Sequence, residues 1–251
     1  MTSGSKPVRK VTDSAEELIA DLASVGAQDR AINSTWFFKT GPGEYGEGDQ
    51  FLGVSVPNTR KLTARAASLT DAELRKLALS EWHEARLLAA LGLVRRYERA
   101  EDDSVREQVV DLWIELLHAN CWNNWDLIDT SAHKIVGPWL LARDRSLLFE
   151  LIRSASLWER RAALIATFDF IRHGDASTSL QLSALVLNDK QDLIHKAAGW
   201  MLREVGKRVG DDLLQEFLVN HAATMPRTML RYAIEQLEPQ QRKHFMELKA
   251  R

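Results

Sequence analysis

The residues of this chain that could do chemistry include two tryptophans and a carboxylate. Trp122 stands four residues before Asp126, a spacing that places both side chains on one face of a helix. Trp200 lies among cations at its i−4, i+3 and i+7 positions, which are Lys196, Arg203 and Lys207. Aromatic rings beside a carboxylate and a basic face suit a ligand that is both flat and polyanionic, and nucleic acid is the obvious candidate.

Each of these residues also has a plainer interpretation. Asp126 beside an aromatic ring could stabilise a developing cation or orient a water molecule, but Trp and Asp at this spacing are common on helices. Trp200 could instead be an amphipathic surface residue that a neighbouring helix covers. Trp125 is predicted to lie in the core, on an apolar face with Ile128, Ala132 and Ile135. We expect Asp129 to be a salt-bridge or turn partner rather than a catalytic residue.

Arg161 is a further candidate because it lies on an apolar stripe. The spacing predicts a helix over residues 157–172 whose stripe contains Leu157, Leu164, Ile165 and Phe168. A guanidinium on such a stripe needs a partner, and a phosphate would satisfy it. The alternative is a helix-edge arginine that pairs with a carboxylate or extends its charge to solvent.

Composition excludes several classes of protein. The 251 residues have a net charge of −2 and are 45% hydrophobic, so the chain can bury a large core without the overall basic charge typical of nucleic-acid binders. With one cysteine, Cys121, no intrachain disulfide can form, which predicts a cytoplasmic protein. No apolar run is long enough to cross a membrane, and residues 1–10 are predicted to be a disordered tail rather than a secretion signal.

The chain shows no metal-ligand spacing among its seven histidines and single cysteine, so we predict neither a metal nor a cofactor. The glycine-rich segment 40–50 lacks the Gly-Lys-Ser/Thr ending of a P-loop. Its acidic residues Glu44, Glu47 and Asp49 would repel phosphate. We therefore expect this loop to pack away from a nucleic acid or to move.

Helical signals recur along the whole chain. Capping boxes are predicted at Ser14, Thr70, Ser104 and Ser156, each followed three residues later by glutamate, and no segment alternates as a strand would. Helices of about 10 to 18 residues joined by short turns predict an all-α fold of stacked antiparallel pairs, an α-solenoid with a concave face. A globular helical bundle is the alternative. The prediction is a single domain over residues 11–251.

The chain resembles the DNA alkylation repair family, the AlkD type of HEAT-like-repeat glycosylases. The likeness covers residues 37 to 208. It is carried by FFKTGPGEYGEGD at 37–49, FLGV at 51–54 with Pro57 and Arg60, NWDLID at 124–129, LWERRAA at 157–163 and HKAAGWMLRE at 195–204. Together these ordered matches are specific, whereas any one alone would not be.

The resemblance implies a monomeric, monofunctional glycosylase that removes cationic N3- and N7-alkylated purines from double-stranded DNA without flipping the base, using the concave face of its HEAT-like repeats. It implies that Trp122 packs on the sugar of the lesion nucleotide, that Asp126 is the catalytic carboxylate and that Trp200 is the second aromatic of the cleft. By the same resemblance, Arg161 contacts phosphate, and Tyr45 corresponds to an aromatic near the lesion. Lys196, Arg203 and Lys207 are expected to bind the DNA backbone.

Two other functions stay open at this point. A non-catalytic binder of nucleic-acid structure on the same scaffold would show salt-sensitive binding without base release. A protein-interaction scaffold is the third possibility, because HEAT repeats commonly serve that purpose and fold alone does not define function.

Overall fold

The computed structural model describes residues 13–248, so the predicted N-terminal tail at 1–10 lies outside the described residues. Within them the chain is all α-helical, and its single β-type contact is an isolated bridge between Gln50 and Trp82. The predicted all-α class is therefore confirmed. None of the helices in this range combines the length and the apolar character that crossing a membrane requires.

The helices group into two compact units that divide between Arg96 and Tyr97. The first unit contains α1 (Ala15–Ser24), α2 (Gln28–Phe37), α3 (Val56–Lys61), α4 (Thr63–Ala67), α5 (Asp71–Ala78) and most of α6 (His83–Arg99). The second contains α7 (Asp103–His118), α8 (Trp125–Leu140), α9 (Ser146–Leu151), α10 (Leu157–Arg172), α11 (Ser177–Leu185), α12 (Asp192–Arg208), α13 (Asp211–His221), α14 (Arg227–Ala233) and α15 (Pro239–Glu247). The structure divides into two compact units, and the single domain predicted over residues 11–251 stays a prediction.

Side-chain caps determine where several of these helices begin. Ser14 forms the predicted capping box with Glu17 at the start of α1, and Ser156 accepts a hydrogen bond from the Glu159 N–H at the start of α10. The predicted box at Ser104 is wrong. Asp102 caps α7 instead, because its carboxylate lies 3.0 Å from the Val105 nitrogen and so starts the helix earlier.

In the second unit, the even-numbered helices from α8 to α14 pack against one another in order. α8 contacts α10, α10 contacts α12, and α12 contacts α14. Glycines permit the close approach: a Cβ at Gly137 would lie 2.6 Å from the Ala166 carbonyl oxygen, and one at Gly199 would lie 2.5 Å from the Met229 carbonyl oxygen. This stacking of alternate helices is the packing of an α-solenoid. α10, at its centre, is buried over most of its circumference.

In the first unit, carboxylates hold the segment around residues 40–54 in place. Asp49 is buried and pairs with Arg86 and with His83, whose Nδ1 lies 2.9 Å from Oδ2. Buried Glu84 accepts hydrogen bonds of 2.8–3.0 Å from the three backbone N–H groups of residues 52–54. Glu44 and Glu47 accept from N–H groups of the loop itself, at Gly41 and Gly43. The acidic side chains are thus used to build and anchor the loop. That the loop packs away from a nucleic acid or moves stays a prediction.

Candidate functional site

Trp122 lies outside the helix that carries Asp126. Asn124 is the N-cap of α8, with its side chain accepting from the Trp125 N–H, so the helix begins two residues after Asn123. The expectation that Trp122 and Asp126 share a helical face is therefore wrong. The indole of Trp122 is fully buried, donates from Nε1 to the Trp113 carbonyl at 3.0 Å and stacks on the Trp113 ring. Its position is that of a core residue.

Asp126 occupies the first turn of α8 and is half-buried. A carboxylate there interacts favourably with the positive end of the helix dipole, which is by itself a structural role. Its negative charge also acts on Asp129, one turn further along the helix, by raising the pKa of that carboxyl.

The ion pair between Asp129 and Arg161 is the best-defined polar feature of this unit. Arg161 donates from Nε to Oδ1 at 2.9 Å and from its second terminal nitrogen to Oδ2 at 2.7 Å, a bidentate arrangement. Its other terminal nitrogen donates to the Leu193 carbonyl at 2.6 Å. Arg161 is 5% exposed, whereas the Asp129 side chain is 17% exposed. The guanidinium thus joins α8, α10 and α12, and it is more deeply buried than the Asp129 side chain.

The electrostatics of Asp129 follow from this setting. Burial raises the pKa of Asp129, the charge and hydrogen bonds of Arg161 lower it, and the charge of Asp126 raises it further. For Arg161 itself, the carboxylate alternative considered from the sequence is the arrangement found. The expected role of Asp129 as a salt-bridge partner is also found.

Trp125 differs from its predicted place in the core. Ile128, Ala132 and Ile135 are fully buried as expected, whereas Trp125 is half-buried at the start of α8. Trp125 and Asp129 are four residues apart within the helix and so share a face. The aromatic–carboxylate pair that the sequence suggested thus exists on α8, displaced by three residues from the predicted one.

Trp200 lies off the buried stripe of α12, as predicted. Ile194, Ala197, Ala198, Met201 and Val205 are all fully buried, while Trp200 is half-buried. Its ring contacts that of Phe168 on α10, with centroids 5.9 Å apart, and Phe168 contacts the His133 ring on α8 at 5.5 Å. The sequence reasoning did not single out His133 or Phe168 as site residues.

The predicted DNA-binding cations of α12 are engaged in ion pairs. Lys196 lies 2.8 Å from the Asp192 carboxylate, and Arg203 pairs with Glu235 and Glu204. Lys207 is exposed. Lys196 and Arg203 line an open groove of about 670 Å³ between α12 and α14, together with Arg231. The groove is therefore less positive than a count of its cations suggests.

Tyr45 belongs to the first unit, where it is half-buried in the 40–50 loop. Its role near a lesion stays a prediction.

Among residues 13–248 there is no group of three or more His, Cys, Asp or Glu side chains placed to hold a metal ion.

Comparisons with known proteins agree with this architecture. The family described as "DNA alkylation repair enzyme" matches residues 18–237. A solved structure titled "Predicted DNA alkylation repair enzyme from Enterococcus faecalis" has a TM-score of 0.64 and 16% identity, covering 85% of this chain and 97% of that one. Among curated proteins none matches the chain. Because the family match spans most of its length, the chain belongs to the DNA alkylation repair enzyme family.

Proposed function

We propose that this protein is a DNA glycosylase that hydrolyses the N-glycosidic bond of cationic N3- and N7-alkylated purines in double-stranded DNA, without flipping the base. The observation that carries the proposal is the Asp129–Arg161 pair, in which the Asp129 side chain is 17% exposed and shares its helix face with Trp125. Family membership supports a DNA repair role. We further propose that it acts as a cytoplasmic monomer and needs neither metal nor cofactor.

The reaction suits a site with a carboxylate and no dedicated acid. An alkylated purine already carries a positive charge, so when the bond from C1′ to the purine nitrogen breaks, the electron pair neutralises the departing base. C1′ gains oxocarbenium character, which a nearby carboxylate stabilises. The oxygen of a water molecule then bonds to C1′ and releases its proton to solvent.

We assign the carboxylate role to Asp129 rather than to Asp126. Arg161 holds both oxygens of Asp129 in a fixed orientation, and preorganised charge is what stabilises a transition state effectively. Trp125 and Trp200 are half-buried aromatic residues, and an aromatic ring attracts a cation through its quadrupole. Trp122 is enclosed in the core, so we assign it no contact with the substrate.

The experiment is base release from double-stranded DNA containing N7-methylguanine. Wild type is compared with Asp129→Asn and with the matched control Asp126→Asn, one turn away on the same helix. We expect Asp129→Asn to lose about 100-fold or more in rate, the order that loss of one electrostatic stabiliser costs, and Asp126→Asn to stay near wild type. Thermal melting of both variants shows whether each is folded.

Other outcomes lead to different conclusions. Loss of activity in Asp126→Asn with activity retained in Asp129→Asn would return the role to Asp126. If wild type binds the duplex but releases no base, the protein is a non-catalytic binder. Absence of binding even at low salt would favour a protein-interaction scaffold.

A further inference from the structure

The polar groove of about 670 Å³ between α12 and α14, here called the α12–α14 groove, has a charge imbalance. Its charged lining residues are Asp192, Lys196, Arg203, Arg231 and Glu235, which are three cations and two carboxylates with a net charge of +1. Lys196 and Asp192 pair with each other at 2.8 Å. The other charges of the lining are two guanidinium groups and the carboxylate of Glu235, so the groove can accept one further anion.

The α12–α14 groove begins beside the Asp129–Arg161 pair. Arg161 donates to the Leu193 carbonyl at 2.6 Å, and the preceding residue, Asp192, lines one end of the groove. From there the groove follows α12 to Arg203, a distance of about 16 Å along the helix at 1.5 Å per residue. Since this length corresponds to about five nucleotides of one strand, the groove is within reach of DNA bound at Asp129.

Glu235 is the principal carboxylate partner of Arg203. The two side chains form an ion pair, whereas Arg203 lies 3.4 Å from Glu204, which has a closer partner in Arg208 at 2.6 Å. A guanidinium presents its donors in a planar fork that fits the oxygens of a phosphate as well as those of a carboxylate. A phosphate could therefore take the place of Glu235 on Arg203.

Glu235 is also the more exposed member of its ion pair. Its side chain is 58% exposed, against 21% for Arg203, and it lies in the turn after α14 rather than within the helix. Because an exposed ion pair contributes little stability, Glu235 can turn away from Arg203 at low cost. Arg231, four residues earlier, is exposed, donates to Thr228 Oγ1 at 3.4 Å and forms no ion pair within residues 13–248.

We propose that the α12–α14 groove binds a phosphate of the DNA backbone through Arg203 and Arg231, and that Glu235 occupies Arg203 until DNA displaces it. The choice of DNA as the source of the phosphate rests on the proposed function. A phosphodiester carries one negative charge, which matches the excess charge of the groove. Glu235 is then an internal competitor that weakens binding to any duplex, damaged or not, because a phosphate contact carries no sequence information.

The test is binding of a short, undamaged, labelled DNA duplex, measured by fluorescence anisotropy from about 50 to about 200 mM salt. We expect Glu235→Gln to bind about three-fold more tightly at low salt and to steepen the slope of log affinity against log salt by about 0.9, the amount for one phosphate contact. Arg231→Gln should weaken binding and flatten the slope by similar amounts. Glu216→Gln on α13 and Arg153→Gln after α9 change the net charge equally at exposed positions outside the groove, and both should bind like wild type.

A double variant shows whether the gain comes from the release of Arg203. Glu235→Gln combined with Arg203→Gln should bind no more tightly than Arg203→Gln alone, with thermal melting to show that each variant is folded. An equal gain in Glu216→Gln would reduce the effect to overall charge and overturn the proposal.

Base release by wild type separates this inference from the proposed reaction. Release of the base, together with wild-type affinity and slope in both Glu235→Gln and Arg231→Gln, would overturn the phosphate site and leave the glycosylase in place. The expected shifts in a protein that releases no base would keep the phosphate site and refute the glycosylase.

Discussion

Removal of Arg161 tests whether the bidentate pair stabilises the fold as its geometry predicts. In Arg161→Met the buried guanidinium disappears, leaving Asp129 without its two charged hydrogen bonds and the Leu193 carbonyl without its donor. Removal of one partner from a buried ion pair typically costs about 3–5 kcal/mol, because the remaining charge is uncompensated. For a chain of this size, we expect Tm to fall by roughly 10 °C.

The stability that Arg161→Met loses should depend on pH in a defined direction. Burial already raises the pKa of Asp129, and loss of Arg161 removes the main influence that lowers it. A carboxyl whose folded pKa lies above its unfolded value is more stable in the fold when protonated, and that stability is lost as pH rises through the folded pKa. The difference in free energy of unfolding between wild type and Arg161→Met should therefore be largest at neutral pH and shrink toward pH 4.

The assay is urea unfolding of a double-mutant cycle. Asp129→Leu with Arg161→Met replaces both charges by apolar groups, an exchange that is often neutral or stabilising. We expect this double variant to recover at least half of the free energy of unfolding that Arg161→Met loses at pH 7. A double variant as unstable as Arg161→Met, or a deficit that does not change with pH, would refute the reasoning.

Three further predictions concern the stability of the fold. Glu84→Gln keeps a single acceptor for the backbone N–H groups of residues 52–54, and should destabilise the first unit by about 2 kcal/mol, with faster hydrogen exchange at those amides. Gly137→Ala places a Cβ 2.6 Å from the Ala166 oxygen and should cost about 1–3 kcal/mol in thermal unfolding. The pKa of His133, lowered from 6.5 to about 4, means that the unfolded chain binds the proton more readily, so stability should fall by up to about 3 kcal/mol as pH drops from 6.5 to 4. Substitution His133→Phe should remove that slope.

Local sequence signals were sufficient for much of the fold. Ser14 and Ser156 mark helix starts because a hydroxyl cap acts on backbone groups only two or three residues away. The stripe of α12 was readable for the same reason, since a 3.6-residue period places Trp200 off the buried face. Ser104 failed as a cap because Asp102, two residues earlier, competes for the same role.

The candidate site was harder to predict from the sequence, because it depends on where α8 begins and on an ion pair between residues far apart in the chain. Two adjacent asparagines precede Trp125, and a helix that starts after Asn124 moves Trp122 out of it and gives Trp125 the carboxylate at i+4. The partner of Arg161 lies 32 residues away in sequence, and no periodicity within a helix identifies it. The burial of Trp122 likewise depends on Trp113, which lies nine residues earlier on α7.

Gly199 and Trp200 stand side by side on α12 but face different neighbours, and this constrains how the chain can evolve. A side chain at Gly199 would meet the Met229 carbonyl oxygen at 2.5 Å and the Tyr232 Cβ at 2.6 Å, which would displace α14 or turn α12 about its axis. Such a turn would carry Trp200 away from Phe168. Selection for an aromatic ring at position 200 is therefore expected to preserve glycine at position 199, even where the rest of the helix diverges.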